Sequence, residues 1–260
     1  MLSLYLALIG LVVGLALDAI IVRLAVPPDD EEEDAPQAEP QAEPQAEPQA
    51  DASGEIDAEA PAAPAIASVH AEAGSLVVGA EGSAWLRRLL VVGATAGLFA
   101  AAAARYDGAS HLAVITAYIC VLLVCAATDA LSYRVPNVVT YPAIIGALVV
   151  GAVMPGAAFF EVLAGGALAG GVLLVPALFT GGVGMGMGDV KLAAFMGLAL
   201  GFTHVLPALV LMALAGGAAA TLLLVSGRRK RSEPIPYAPF ISLGALVALL
   251  WQGAAFVQLA

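Results

Sequence analysis

The chain has 260 residues, 61% hydrophobic and only 12% charged, with a mean hydropathy of +0.93. That balance excludes an ordinary water-soluble domain and implies a multi-spanning membrane protein. The formal net charge of −11 misleads, because thirteen of the 21 acidic residues lie between Asp29 and Glu59 and the other eight face ten Lys+Arg; the apolar remainder is slightly basic, and nucleic-acid binding gains no support.

A helix needs about 20 apolar residues to cross the hydrocarbon. In chain order the candidate spans are 2–26, 85–104, 110–128, 138–154, 159–180, 190–202, 204–225 and 238–257. The expected fold is all-α, a polytopic membrane helix bundle of about eight transmembrane helices. The number falls to seven if the short sixth span joins the seventh as one element bent around His204 and Pro207. The first segment has no basic start and no small-residue cleavage site after it, so it reads as a span rather than a cleaved signal. Residues 27–84 form the one long loop. Its "PPDDEEEDAP" stretch and three tandem QAEP units lack the apolar residues to bury a core, which predicts a largely disordered segment. Residues 66–84 are milder in composition and suggest no particular structure. Residues 85–260 make up the remaining membrane core.

Basic residues concentrate on the cytoplasmic side of membrane proteins. With eight spans and the N-terminus outside, the inner ends carry Arg23, Arg87, Arg88, Arg134, Lys191 and the run Arg228, Arg229, Lys230, Arg231, and only Arg105 falls outside. Merging the sixth and seventh spans would strand the 228–231 run on the outer side, so the charge pattern favours the split. The expected location is a cell inner membrane, with the bilayer as a partner.

Charged side chains at membrane depth are costly and tend to be functional. Outside the acidic loop, the acids within or beside spans are Asp18, Asp129, Glu161 and Asp189. Asp129 ends the third span and Asp189 opens the sixth. Two spans intervene, an even number, so both emerge on one face, and the basic residues make that face cytoplasmic. Two aspartates brought together do not both ionise easily. One keeps a proton while the other acts as a base, and such a pair can activate water and protonate a departing amide nitrogen. Gly186 and Gly188 before Asp189 let the backbone approach a neighbouring helix or an extended substrate. The plain alternatives are a helix cap for Asp189 and a polar span end for Asp129.

"Gly186-Met187-Gly188-Asp189" followed by Val190, Lys191 and Leu192 resembles the G-x-G-D-x-K-L motif of type IV prepilin peptidases, membrane aspartyl proteases of the GxGD group. Asp129 with "Val135-Pro136-Asn137" is similar to the family's D-x5-[IV]-P-N motif. "Ile235-Pro236-Tyr237-Ala238-Pro239-Phe240" resembles its I-P-F-G-P-F, with alanine where glycine is usual. The stretch from Gly14 to Leu24 is similar to G-S-F-L-N-V-V-I-x-R-L, with Asp18 in place of the asparagine. The resemblance implies removal of the leader from prepilins or pseudopilins on the cytoplasmic side. It makes Asp129 and Asp189 the catalytic pair, with Gly186, Gly188, Lys191, Pro136, Asn137 and Pro239 as motif or substrate-groove positions. No metal or cofactor is expected.

Bifunctional members of that family carry two C-x-x-C pairs after the first span, associated with N-methylation. Here that position holds the QAEP loop, which has no cysteine, so a four-cysteine zinc site cannot form there and a peptidase alone is expected. Cys120 and Cys125 sit in one apolar stretch and read as packing residues. Lys191 has two readings, substrate contact or interfacial anchor, and Arg134 reads as an anchor. Asp18 has Arg23 or a basic leader as potential partners. Gly166 and Gly170 form a G-x-x-x-G that marks close packing. His111 and His204 fall on the side away from the aspartates. Rival functions are a proton-coupled transporter, an inactive scaffold, and a GxGD peptidase acting on other membrane substrates.

Overall fold

The computed structural model describes residues 2–25, 66–179, 185–226 and 235–258, and for residues 66–83 the backbone alone. The QAEP loop and the basic run 228–231 lie outside the described residues. Seven helices appear: α1 (Leu2–Ala25), α2 (Ile66–Arg105), α3 (Ala109–Ser132), α4 (Asn137–Val153), α5 (Phe159–Phe179), α6 (Met187–Val225) and α7 (Ala238–Trp251). Residues 1–26 and 86–260 belong to one unit and 27–85 to a second, of which the described part is the helical backbone from Ile66.

The fold is the all-α membrane bundle that the apolar pattern predicts. Five helical stretches are long and apolar enough to cross a bilayer, Leu2–Ala25, Ala84–Arg105, Ala109–Ser132, Phe159–Phe179 and Met187–Val225; α4 and α7 are shorter apolar helices. The chain is therefore a multi-pass membrane protein.

The split between the sixth and seventh spans has a physical basis at Gly201. This residue takes φ 73° and ψ 171° inside α6, a backbone state that costs glycine little and other residues much. It divides α6 into a first segment carrying Asp189 and a second running to Val225. The break comes six residues before Pro207, so glycine rather than proline ends the first segment. At the break, the carbonyl of Ala199 accepts the Ala255 N–H at 3.0 Å and the carbonyl of Leu200 lies 3.2 Å from His204 Nδ1.

The last span is shorter than its composition predicts. Gly253, at φ 115°, turns the chain out of α7, and two-residue strands β1 (Gly253–Ala254) and β2 (Val257–Gln258) pair antiparallel. Arg105 holds the end of α7 through Leu250 and Trp251 carbonyls at 3.0 and 3.1 Å.

The main core draws on α2 to α7, and within it α5 lies backbone-close to the first segment of α6. A Cβ on Gly165 would collide with the backbone of Gly197 and Gly201, and one on Gly197 with the backbone of Gly165. On Gly166 a Cβ would stand 2.6 Å from Leu198 Cδ2, and on Gly170 3.1 Å from Ala194 Cβ. The G-x-x-x-G stretch thus marks close helix packing, as its spacing predicts. This contact fixes the segment that presents Asp189.

Candidate active site

Asp129 sits in the last turn of α3, one turn further inside the helix than a span ending at 128 implies. The helix stops because Tyr133 adopts the left-handed conformation, φ 55° and ψ 29°, while its N–H donates to the Asp129 carbonyl at 2.8 Å. Residues 133–136 then cross to α4, whose N-cap is Pro136 at φ −70°. Asp189 lies in the first turn of α6. Its N-cap is Gly186, so Asp189 is not the capping residue, and no side-chain cap bond forms there.

The two carboxylates meet at one cavity of about 340 Å³, lined by Asp129, Tyr133, Arg134, Val135, Asn137, Gly186, Met187, Gly188, Asp189 and Lys191. Both aspartates are nearly buried, at 5% and 8% exposure. Asp129 Oδ2 accepts the backbone N–H of Ala238 at 2.9 Å. That donor belongs to the first turn of α7, whose N–H groups have no partner within the helix. Pro239, next in the chain, lacks an N–H and fits this first turn without loss. Asp189 Oδ1 is different: it is buried with no hydrogen-bond partner among the described residues. Buried polar atoms are nearly always paired, so an orphan facing a cavity asks for a functional reason.

Gly188 explains how the carboxylates come together. A Cβ there would stand 2.9 Å from Val135 Cβ, so the start of α6 lies directly on the 133–136 link. At Gly186 a Cβ would meet nothing nearer than Asp189 Oδ2 at 3.7 Å. Lys191 Nζ donates to Asn137 Oδ1 at 2.8 Å and lies 4.6 Å from the centre of the Tyr141 ring. Lys191 thereby ties α6 to the first turn of α4 at the cavity wall. Tyr237 sits beside the site, and its phenol is pushed up first by burial and then by the negative charge of Asp189.

Of the residues singled out from sequence, Asp129, Asp189, Gly186, Gly188, Lys191 and Asn137 line this cavity. Pro136 and Pro239 do not; they begin α4 and α7. Tyr133 lines it without having been singled out, and Val135 and Met187, named above only as motif neighbours, line it too. Arg134, read as an anchor, lines it as well, so two acids and two bases share the cavity wall. Within the chain, Asp18 pairs with Arg87 and Arg88 rather than with Arg23. It is 1% exposed and accepts Arg87 Nε at 2.9 Å and Arg88 Nε at 3.1 Å, joining α1 to α2. His204 and Glu161 line a separate cavity of about 240 Å³ that contains neither aspartate.

Comparison with known proteins agrees with the motifs. Residues 116–221 match the model of the type IV leader peptidase family. A prepilin leader peptidase/N-methyltransferase of Bacillus subtilis is 31% identical over 160 residues, 60% of this chain and 63% of the relative. Proteins of the same description from Stutzerimonas stutzeri and Pseudomonas aeruginosa are 40% and 39% identical over 75 residues, covering 28% of this chain and 26% of each relative. The chain thus spans under two thirds of the Bacillus relative and about a quarter of the other two. No solved structure matches. Asp129 and Asp189 both fall inside the segment that matches the type IV leader peptidase family.

Proposed function

We propose that this protein is an aspartyl endopeptidase that removes the leader peptide of type IV prepilins or pseudopilins at the cytoplasmic face of the inner membrane. The observation that carries the reading is the shared cavity of Asp129 and Asp189, with one oxygen of Asp189 buried and unpartnered among the described residues. The family match of residues 116–221 and the names of the relatives support leader cleavage as the reaction.

In this mechanism one carboxylate is ionised and the other protonated. The ionised one takes a proton from water as the water oxygen attacks the scissile carbonyl carbon. The protonated one hydrogen-bonds to the carbonyl oxygen and stabilises the tetrahedral intermediate. A proton then passes to the amide nitrogen, the C–N bond breaks, and a carboxylic acid and a free amine leave. The two backbone donors near Asp129, from Ala238 and Tyr237, hold that carboxylate in a fixed orientation. The cysteine-free loop after the first span supports a peptidase without the methyltransferase activity named for the relatives.

The test is cleavage of a co-expressed prepilin by wild type, Asp129→Asn and Asp189→Asn. A leader-sized mobility shift, confirmed by mass spectrometry of the new N-terminus, is the readout. Both variants are expected to leave the substrate uncut at wild-type protein levels. Full cleavage by either one removes that aspartate from the mechanism.

A further inference from the structure

An apolar groove of about 570 Å³ lies beside the aspartate cavity. One wall is α3, with Ala117 and Val121; the other is α4, with Val139, Ala143 and Gly146; Phe195 of α6 lies between them, edge-on to Tyr118 at 5.4 Å. Both walls repeat at helical spacing, and their alanines and glycine leave room where larger side chains would close the gap. On α4 the groove runs from Val138 to Val150, about 18 Å of helix at 1.5 Å per residue. That covers more than half of a hydrocarbon core about 30 Å thick.

The groove and the cavity share a border. Val138 opens the groove on α4, and the residue before it, Asn137, lines the aspartate cavity and holds Lys191. At this border Pro142 lies inside α4 and has no N–H to give the Val138 carbonyl its usual helical hydrogen bond. An apolar slot and a polar chamber with two carboxylates thus adjoin at consecutive residues of α4. A peptide that is polar where it is cut and apolar over the following three turns matches both halves at once.

We propose that the α3–α4 groove is the docking site for the apolar transmembrane helix of the peptide substrate, which enters alongside Gly146 and delivers the adjoining polar residues to Asp129 and Asp189. This inference rests on the peptidase reading above. The groove sets where substrate binds, and the cavity sets what is cut.

Gly146 supplies a clean test, because a Cβ added there meets nothing within 4 Å. Gly146→Leu puts a larger side chain into that open space. Gly97→Leu is the control, since Gly97 also has open space and lies on α2, away from the groove. With full-length prepilin in lipid nanodiscs, Gly146→Leu is expected to raise KM about tenfold with kcat nearly unchanged, and Gly97→Leu to leave both constants at wild-type values. A benzophenone side chain at position 146, in the Asp189→Asn background, is expected to cross-link to the prepilin helix, whereas one at 97 does not. A wild-type KM for Gly146→Leu, or equal cross-linking at 146 and 97, would overturn the proposal and make the groove a lipid-filled seam. Cleavage by Asp129→Asn or Asp189→Asn sinks the catalytic reading instead, so the two failures are distinguishable.

Discussion

Gly188 presses on Val135 so closely that a methyl group at position 188 would stand 2.9 Å from Val135 Cβ. The contact is between the first turn of α6 and the link that follows α3, so it sets how near Asp189 comes to Asp129. Gly188→Ala must separate the two elements or distort one of them. Gly186→Ala has only ordinary van der Waals neighbours. We expect Gly188→Ala to lower kcat/KM for prepilin by at least about tenfold, and Gly186→Ala by less than about threefold. Equal losses in the two variants would make the glycine pair a flexibility device rather than a close-packing one.

The Lys191–Asn137 bond spans 54 residues of sequence and joins α6 to α4 at the cavity wall. Lys191→Met and Asn137→Ala each break the same contact, so their effects on activity should not add. A double-mutant cycle is expected to give a coupling of roughly 0.5–3 kcal/mol. Additive losses would mean that Lys191 acts on substrate alone, independently of Asn137.

Asp18 is buried between two arginines that differ in exposure, Arg87 at 26% and Arg88 at 63%. Asp18→Ala removes both pairs and leaves Arg87 half-buried without its anion, a loss of about 3–5 kcal/mol. Arg88→Ala breaks the more exposed pair and should cost no more than about 1 kcal/mol. Thermal unfolding in one detergent orders the variants, and a larger drop for Arg88→Ala would show that the exposed arginine dominates.

Gly197 and Gly165 lie backbone against backbone, and neither has room for a methyl group. Gly197→Ala is expected to destabilise the protein by about 1–3 kcal/mol through overpacking. Because α5 braces the segment that carries Asp189, activity should fall along with the melting temperature. A stable Gly197→Ala protein with full activity would show that the two helices can move apart at no cost to the site.

The sequence made the aspartates legible because parity needs only a count of spans, and the glycines because close approach leaves few other residues possible. Parity gives the face of the membrane and not the rotation of a helix about its axis. For that reason Tyr133 escaped notice, Val135 and Met187 counted only as motif neighbours, and Arg134 read as an anchor. The partners of Asp18 lie 69 and 70 positions away, beyond the reach of local spacing. The hairpin after Trp251 was hidden by its own composition, since Ala254, Ala255, Phe256 and Val257 are as apolar as a span; only the positive φ of Gly253 ends the helix there.

The pairing of Asp18 with Arg87 and Arg88 has a consequence for how the chain can be handled. These residues bracket the long acidic stretch, and Asp18 with Arg87 meets where little water competes for the charges. A protease site placed among the QAEP units should yield two fragments that stay together through purification, as a naturally nicked protein does, with the first helix retained by its carboxylate.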